Sequence, residues 1–82
     1  MFAIEENVDV KFVEKNWTNR NKIFIEEQVK LSDNVSIDSA GLAFFVLWSK
    51  ELGQKKLQII GAPRELVKLV DTFKITDLFV IQ

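Results

Sequence analysis

Hydrophobic and polar positions along the chain change period several times, and each change marks an element. From Asn7, a candidate N-cap, Val10, Val13 and Trp17 recur at helical spacing with Lys11, Glu14, Lys15 and Asn16 between them, which predicts an amphipathic helix. Lys22 to Leu31 alternates instead. Ile23, Ile25, Val29 and Leu31 fall on one parity and Glu26, Gln28 and Lys30 on the other, which predicts a strand, with Phe24 and Glu27 out of step. Ser32-Asp33-Asn34 is turn chemistry, and a short apolar link, Val35 to Ile37, follows. Asp38-Ser39 then precedes an apolar helix, Ala40 to Leu52, stopped by Gly53. Leu57 to Ile60 reads as a strand closed by Gly61. Pro63 opens a helix striped by Leu66, Leu69, Val70 and Phe73, and Ile75 to Ile81 reads as a turn and a short strand.

Strands alternating with helices over 82 residues predict one α/β domain, residues 1–82, a small sheet with helices packed mainly on one face. The glycines Gly41, Gly53 and Gly61, with Pro63, are expected to mark turns or helix ends. No linker, repeat or low-complexity tract interrupts the pattern.

Composition narrows the chemistry. A chain that is 48% apolar and 28% charged has the make-up of a single compact domain, too short for an added catalytic lobe. It contains neither histidine nor cysteine, so imidazole bases, thiolate nucleophiles, disulfides and the usual transition-metal ligands are excluded. Eleven basic residues against twelve acidic ones provide no field for gathering nucleic acid, and Lys55-Lys56, Arg64 and Lys68 form a scatter rather than a stripe. Trp17 and Trp48 sit at apolar helical positions where core packing is the default. The acidic N-terminus, Met1 to Glu6, lacks the basic start of a secretory signal, and no apolar run approaches the ~20 residues of a bilayer span, so a cytoplasmic location is expected. Direct membrane insertion is not expected from Phe44, Leu47 and Trp48, which make a small patch without flanking cations.

The pairs Glu5-Glu6 and Glu26-Glu27 are neighbours that diverge in either secondary structure, so neither makes an acid/base couple. Ser39 has no histidine to activate it, and Lys50 or Lys68 would need burial to act as a base. The single glycines form no phosphate-cradling loop. No enzyme, cofactor or metal site is expected.

The most informative segment is Val35 to Ala43. An acid and a hydroxyl arrive at the first turn of a helix, where free backbone N–H groups favour an oxygen acceptor or an anion. The plainest role for Asp38 or Ser39 is an N-cap. The functional alternative displays Ser39 to a partner, where a phosphate would add nearly two negative charges beside Asp38. In the helix itself Leu42, Phe45, Val46, Ser49 and Leu52 share one face, while Phe44 and Leu47 point largely away with Glu51. Either another element covers these outward apolar residues or they dock a partner.

Ile37-Asp38-Ser39-Ala40-Gly41-Leu42-Ala43, the apolar helix after it, the strand Leu57 to Ile60, Gly61-Ala62-Pro63, the helix carrying Leu69-Val70 and the closing Ile75-Thr76-Asp77-Leu78-Phe79 together resemble a STAS domain over roughly Val8 to Ile81. Within that family the Ala40 to Ala43 run is most similar to the small stand-alone subunit of Mla-type phospholipid transporters, and more distantly to anti-sigma-factor antagonists. The resemblance implies a non-catalytic cytoplasmic subunit, peripheral to the Gram-negative inner membrane, that binds and supports an ABC transporter ATPase. It carries the partner contact over to Asp38, Ser39, Ala40, Ala43, Phe44 and Leu47. The alternative it implies is an antagonist in a partner-switching pathway, bound by an anti-sigma factor and phosphorylated on Ser39 by its kinase. One departure stands out: STAS domains generally carry strand material before the first helix, where this chain has only Phe2 to Glu6. The missing strand is expected to leave a sheet edge open to self-association, giving a homodimer or dependence on a partner.

Overall fold

The computed structural model describes all residues, 1–82. Four strands, β1 (Phe2–Ile4), β2 (Gln28–Leu31), β3 (Leu57–Ile60) and β4 (Phe79–Ile81), lie in the order β1-β2-β3-β4, and every neighbouring pair is parallel. Helices α1 (Val10–Asn16) and α2 (Arg20–Ile23) connect β1 to β2. Helix α3 (Ser39–Leu52) connects β2 to β3, and α4 (Arg64–Thr72) connects β3 to β4. Strands taken in chain order with right-handed crossovers put every helix on the same face of the sheet. Burial bears this out, since Ile4, Val29, Leu31, Leu57, Ile59 and Phe79 are buried while Ala3, Lys30 and Val80, on the alternate parity, are exposed. On the bare face Gln28 Nε2 and Gln82 Nε2 both donate to Gln58 Oε1, at 3.0 and 3.3 Å, tying three strand segments side to side.

Three sequence expectations change. The strand expected over Lys22 to Leu31 is confined to Gln28–Leu31, because Ile23 and Phe24 are consecutive and both buried, which helical wrapping allows and an extended strand over one core does not. Helix α1 is capped by Asp9, whose Oδ1 accepts from the Phe12 N–H at 3.0 Å, whereas Asn7 Oδ1 accepts from the Ser36 N–H and ties the two loops together. The strand expected to be missing is present in short form: Phe2–Ile4 pairs with Val29 to Leu31, so the sheet's two edges are β1 and β4.

Helix α3 is the hub. Leu42, Phe44, Phe45, Trp48 and Ser49 are all buried, as expected of a helix apolar around most of its circumference. Phe44 packs edge-on to Phe12 at 5.8 Å and against Phe24 at 5.1 Å, and Trp48 stacks on Phe24 at 5.8 Å. The indole Nε1–H of Trp48 donates to the Glu26 carbonyl at 2.8 Å, so burying this large side chain leaves no orphan donor. Ser49 is the one buried polar side chain. Its hydroxyl donates to the Leu78 carbonyl and accepts from the Leu57 N–H at 3.2 Å, joining α3 to the start of β3 and to the turn before β4.

Candidate functional site

The start of α3 is held by the chain on both sides of the sheet's top. Val8 and Ile37 form a parallel bridge; the Val8 N–H donates to the Ser36 carbonyl at 2.8 Å and the Asp38 N–H to the Val8 carbonyl at 3.3 Å. Gly41 lies in the first turn of α3, near the helix end, and its job is close approach. A Cβ at position 41 would lie 2.1 Å from the Val8 carbonyl oxygen and 2.8 Å from both Ile37 Cγ1 and Val8 Cγ1. Only glycine lets the first turn of α3 rest directly on the Val8 backbone.

Asp38 and Ser39 divide the roles that sequence left open. Asp38 is the N-cap: its Oδ1 accepts from the Gly41 N–H at 3.0 Å and its carbonyl from the Leu42 N–H at 2.9 Å. Ser39 is the first helical residue and is exposed, and its hydroxyl makes no hydrogen bond within the chain. Both its donor and its acceptor capacity therefore face outward. Ala43 and Leu47 follow at four-residue steps and are also exposed, Leu47 by 43%, with Ala40 half-buried beside them. Ser39, Ala43 and Leu47 thus make an outward stripe about 12 Å long at the 1.5 Å helical rise.

Phe44 is corrected. Expected on this outward surface, it is only 1% exposed, because Phe12 of α1 and Phe24, just after α2, close over its ring. Conversely, Val10 and Trp17, read as core positions from their spacing, are 53% and 40% exposed, with Val13 half-buried between them. Phe12 is the fully buried residue of α1, and Val13 packs half-buried against the core. Arg20 covers part of the exposed indole: its guanidinium lies 4.1 Å from the Trp17 ring centroid and donates to the Trp17 carbonyl at 2.8 Å. Helix α1 packs against α3, so the outward side of the helix layer carries apolar groups from both. No single-sequence signal separates Val10, Val13 and Trp17 from a buried stripe; only the position of Phe12 hints at the rotation.

No three Asp or Glu side chains are grouped as metal ligands would be. The largest concavity, about 600 Å³, lies at the far end of α3 between Asn21 and Lys55 and shares no residue with the Asp38 to Leu47 surface. No helix is long and apolar enough to cross a membrane. The chain matches no family model, no curated protein and no solved structure.

Proposed function

We propose that this chain is a non-catalytic interaction subunit that docks on a protein partner through the start and outward stripe of α3. The partner its STAS-like signature favours is the ABC ATPase of an Mla-type phospholipid transport complex. Such a subunit would sit at the cytoplasmic side of the inner membrane by way of that partner. The observation that carries the reading is the pairing of an exposed, unbonded Ser39 hydroxyl with exposed Ala43 and Leu47 on a helix start fixed by Asp38 and Gly41. A rigid backbone presenting small and apolar side chains lowers the ordering cost of association, which is what an interface needs. Phe44, buried in the core, has no place in that contact.

The test is a binding isotherm between the chain and the ATPase encoded with an Mla-type permease in the same genome. Wild type binds, and Ser39→Glu weakens binding by ~10-fold or more, equivalent to about 1.4 kcal/mol. Lack of binding by the wild-type chain would overturn the transport reading.

The free hydroxyl favours one second reading. A phosphate on Ser39 would stand beside the Asp38 carboxylate at the positive end of α3 and alter the docking surface without disturbing the core. Under that reading, incubation with a cognate serine kinase and ATP raises the intact mass by one phosphate, and Ser39→Ala abolishes the change. An unchanged wild-type mass dismisses it.

A further inference from the structure

The two edges of the sheet differ. At β1 the Ile4 carbonyl accepts from the Ser32 N–H, so Phe2 and Ile4 turn their backbone groups to β2 and only Ala3 turns its groups outward. That edge is flanked by charge, with the Met1 amine 2.7 Å from the Glu26 carboxylate on one side and Glu5-Glu6 on the other. At β4 the Gln82 N–H donates to the Ile59 carbonyl at 2.9 Å, which fixes the alternation: Val80 and Gln82 face β3, while Phe79 and Ile81 turn their backbone groups away from the sheet. The Phe79 N–H is satisfied by the Thr76 carbonyl. The Phe79 carbonyl and both Ile81 groups are left. Phe79-Val80-Ile81 carries no lysine, proline or bulge, the devices that normally blunt a free strand.

We infer that β4 is a self-association edge whose occupant is β4 of a second copy, antiparallel, about a two-fold axis at Val80. In that register the Ile81 N–H of each copy meets the Phe79 carbonyl of the other, giving two backbone hydrogen bonds. Val80, 41% exposed on the bare face, lies opposite Val80 of the second copy as a close non-hydrogen-bonded pair, and Phe79 lies opposite Ile81 on the helix-covered face. The self-complementary pattern favours a second copy over a foreign strand, since the same outward donor and acceptor satisfy each other and no like charges meet. A pairing of three-residue strands buries far less than the ~1,200–2,000 Å² of a stable interface, so the dimer is weak, with a dissociation constant of about 10⁻⁴ M.

Sedimentation equilibrium of the full chain from about 10 µM to about 1 mM reads this weak association. The wild-type weight-average mass climbs above 9.5 kDa with concentration. Val80→Glu and Val80→Lys each stay monomeric, because like charges meet at the axis, and mixing them restores association as a heterodimer. Ile81→Pro removes an N–H that β3 does not use, so it keeps the monomer folded by circular dichroism and loses the dimer. A wild-type chain that stays monomeric throughout, or a Val80→Glu chain that associates as well as wild type, overturns the proposal. Both charge variants fold independently of the Ile81→Pro result, and none touches the α3 surface, so ATPase binding is read separately.

Discussion

Gly41→Ala tests the geometry that fixes the start of α3. On helix propensity alone the substitution stabilises, since alanine is favoured over glycine in a helix interior by about 1 kcal/mol. The close approach opposes this. The new Cβ at 2.1 Å from the Val8 carbonyl oxygen must retreat by about 1.3 Å to reach the 3.4 Å of an ordinary contact. Its path is closed by backbone on one side and by Ile37 on the other. Overpacking of this kind costs about 1–3 kcal/mol. Moving α3 also strains the bonds from the Val8 N–H to Ser36 and from the Asp38 N–H to Val8, each contributing about 1 kcal/mol. The net expected loss is about 2–4 kcal/mol, a large share of the roughly 4–12 kcal/mol of a domain this size. The melting temperature should fall by about 10–30 °C. Urea unfolding followed by tryptophan emission reads the loss directly, because Trp48 is fully buried and reports the core. Ala43→Gly, at an exposed position of the same helix, supplies the propensity term alone, about 1 kcal/mol destabilising. A Gly41→Ala protein as stable as wild type, or more stable, would refute the packing of α3 on the Val8–Ile37 bridge.

Three further outcomes follow from the same structure. Ser49→Ala leaves the Leu57 N–H and the Leu78 carbonyl unpartnered and should cost about 1–3 kcal/mol by urea unfolding, with an unchanged midpoint counting against the shared hydroxyl. Lys56 sits at φ 54° and ψ 146°, a backbone region that penalises any side chain, so Lys56→Gly should raise stability by about 1 kcal/mol; a loss would contradict that strain. Acrylamide should quench Trp17 and spare Trp48, so that Trp17→Phe leaves a single blue-shifted, protected emitter; an accessible residual signal would contradict the burial of Trp48.

Much of the architecture was legible because local and global signals agreed. Asp38 and Gly53 bracket α3, Pro63 precedes a helix whose buried residues Leu66 and Val70 belong to the stripe read from sequence, and Leu57–Ile60 is a strand as its apolar run suggested. The failures have one physical root: periodicity gives the spacing of an apolar face but not its direction. In α1 Phe12, which lies outside the stripe read from spacing, fills the space against Phe44, while Val13 packs half-buried against the core and Val10 and Trp17 stay exposed. Phe44 could be placed outside only while α1 and α2 were absent from the picture. Over Ile23 to Ile25 a brief alternation imitated a strand, although Ile23 and Phe24 are adjacent core residues in and just after α2 and Ile25 is exposed. Of the candidate contact residues, Ser39, Ala43 and Leu47 are exposed, Asp38 is exposed but its carboxylate is occupied as a cap, Ala40 is half-buried, and Phe44 belongs to the core.

Display of Ser39 and Leu47 by α3 to the ATPase proposed as its partner is read by isothermal titration of that ATPase with Ser39→Glu/Leu47→Asp, set against Val80→Glu as a surface variant on the opposite face. Both proteins should be folded, Val80→Glu should bind like wild type, and the double variant should lose ~100-fold or more in affinity, about 2.8 kcal/mol. A folded double variant that binds the ATPase as tightly as wild type would contradict it.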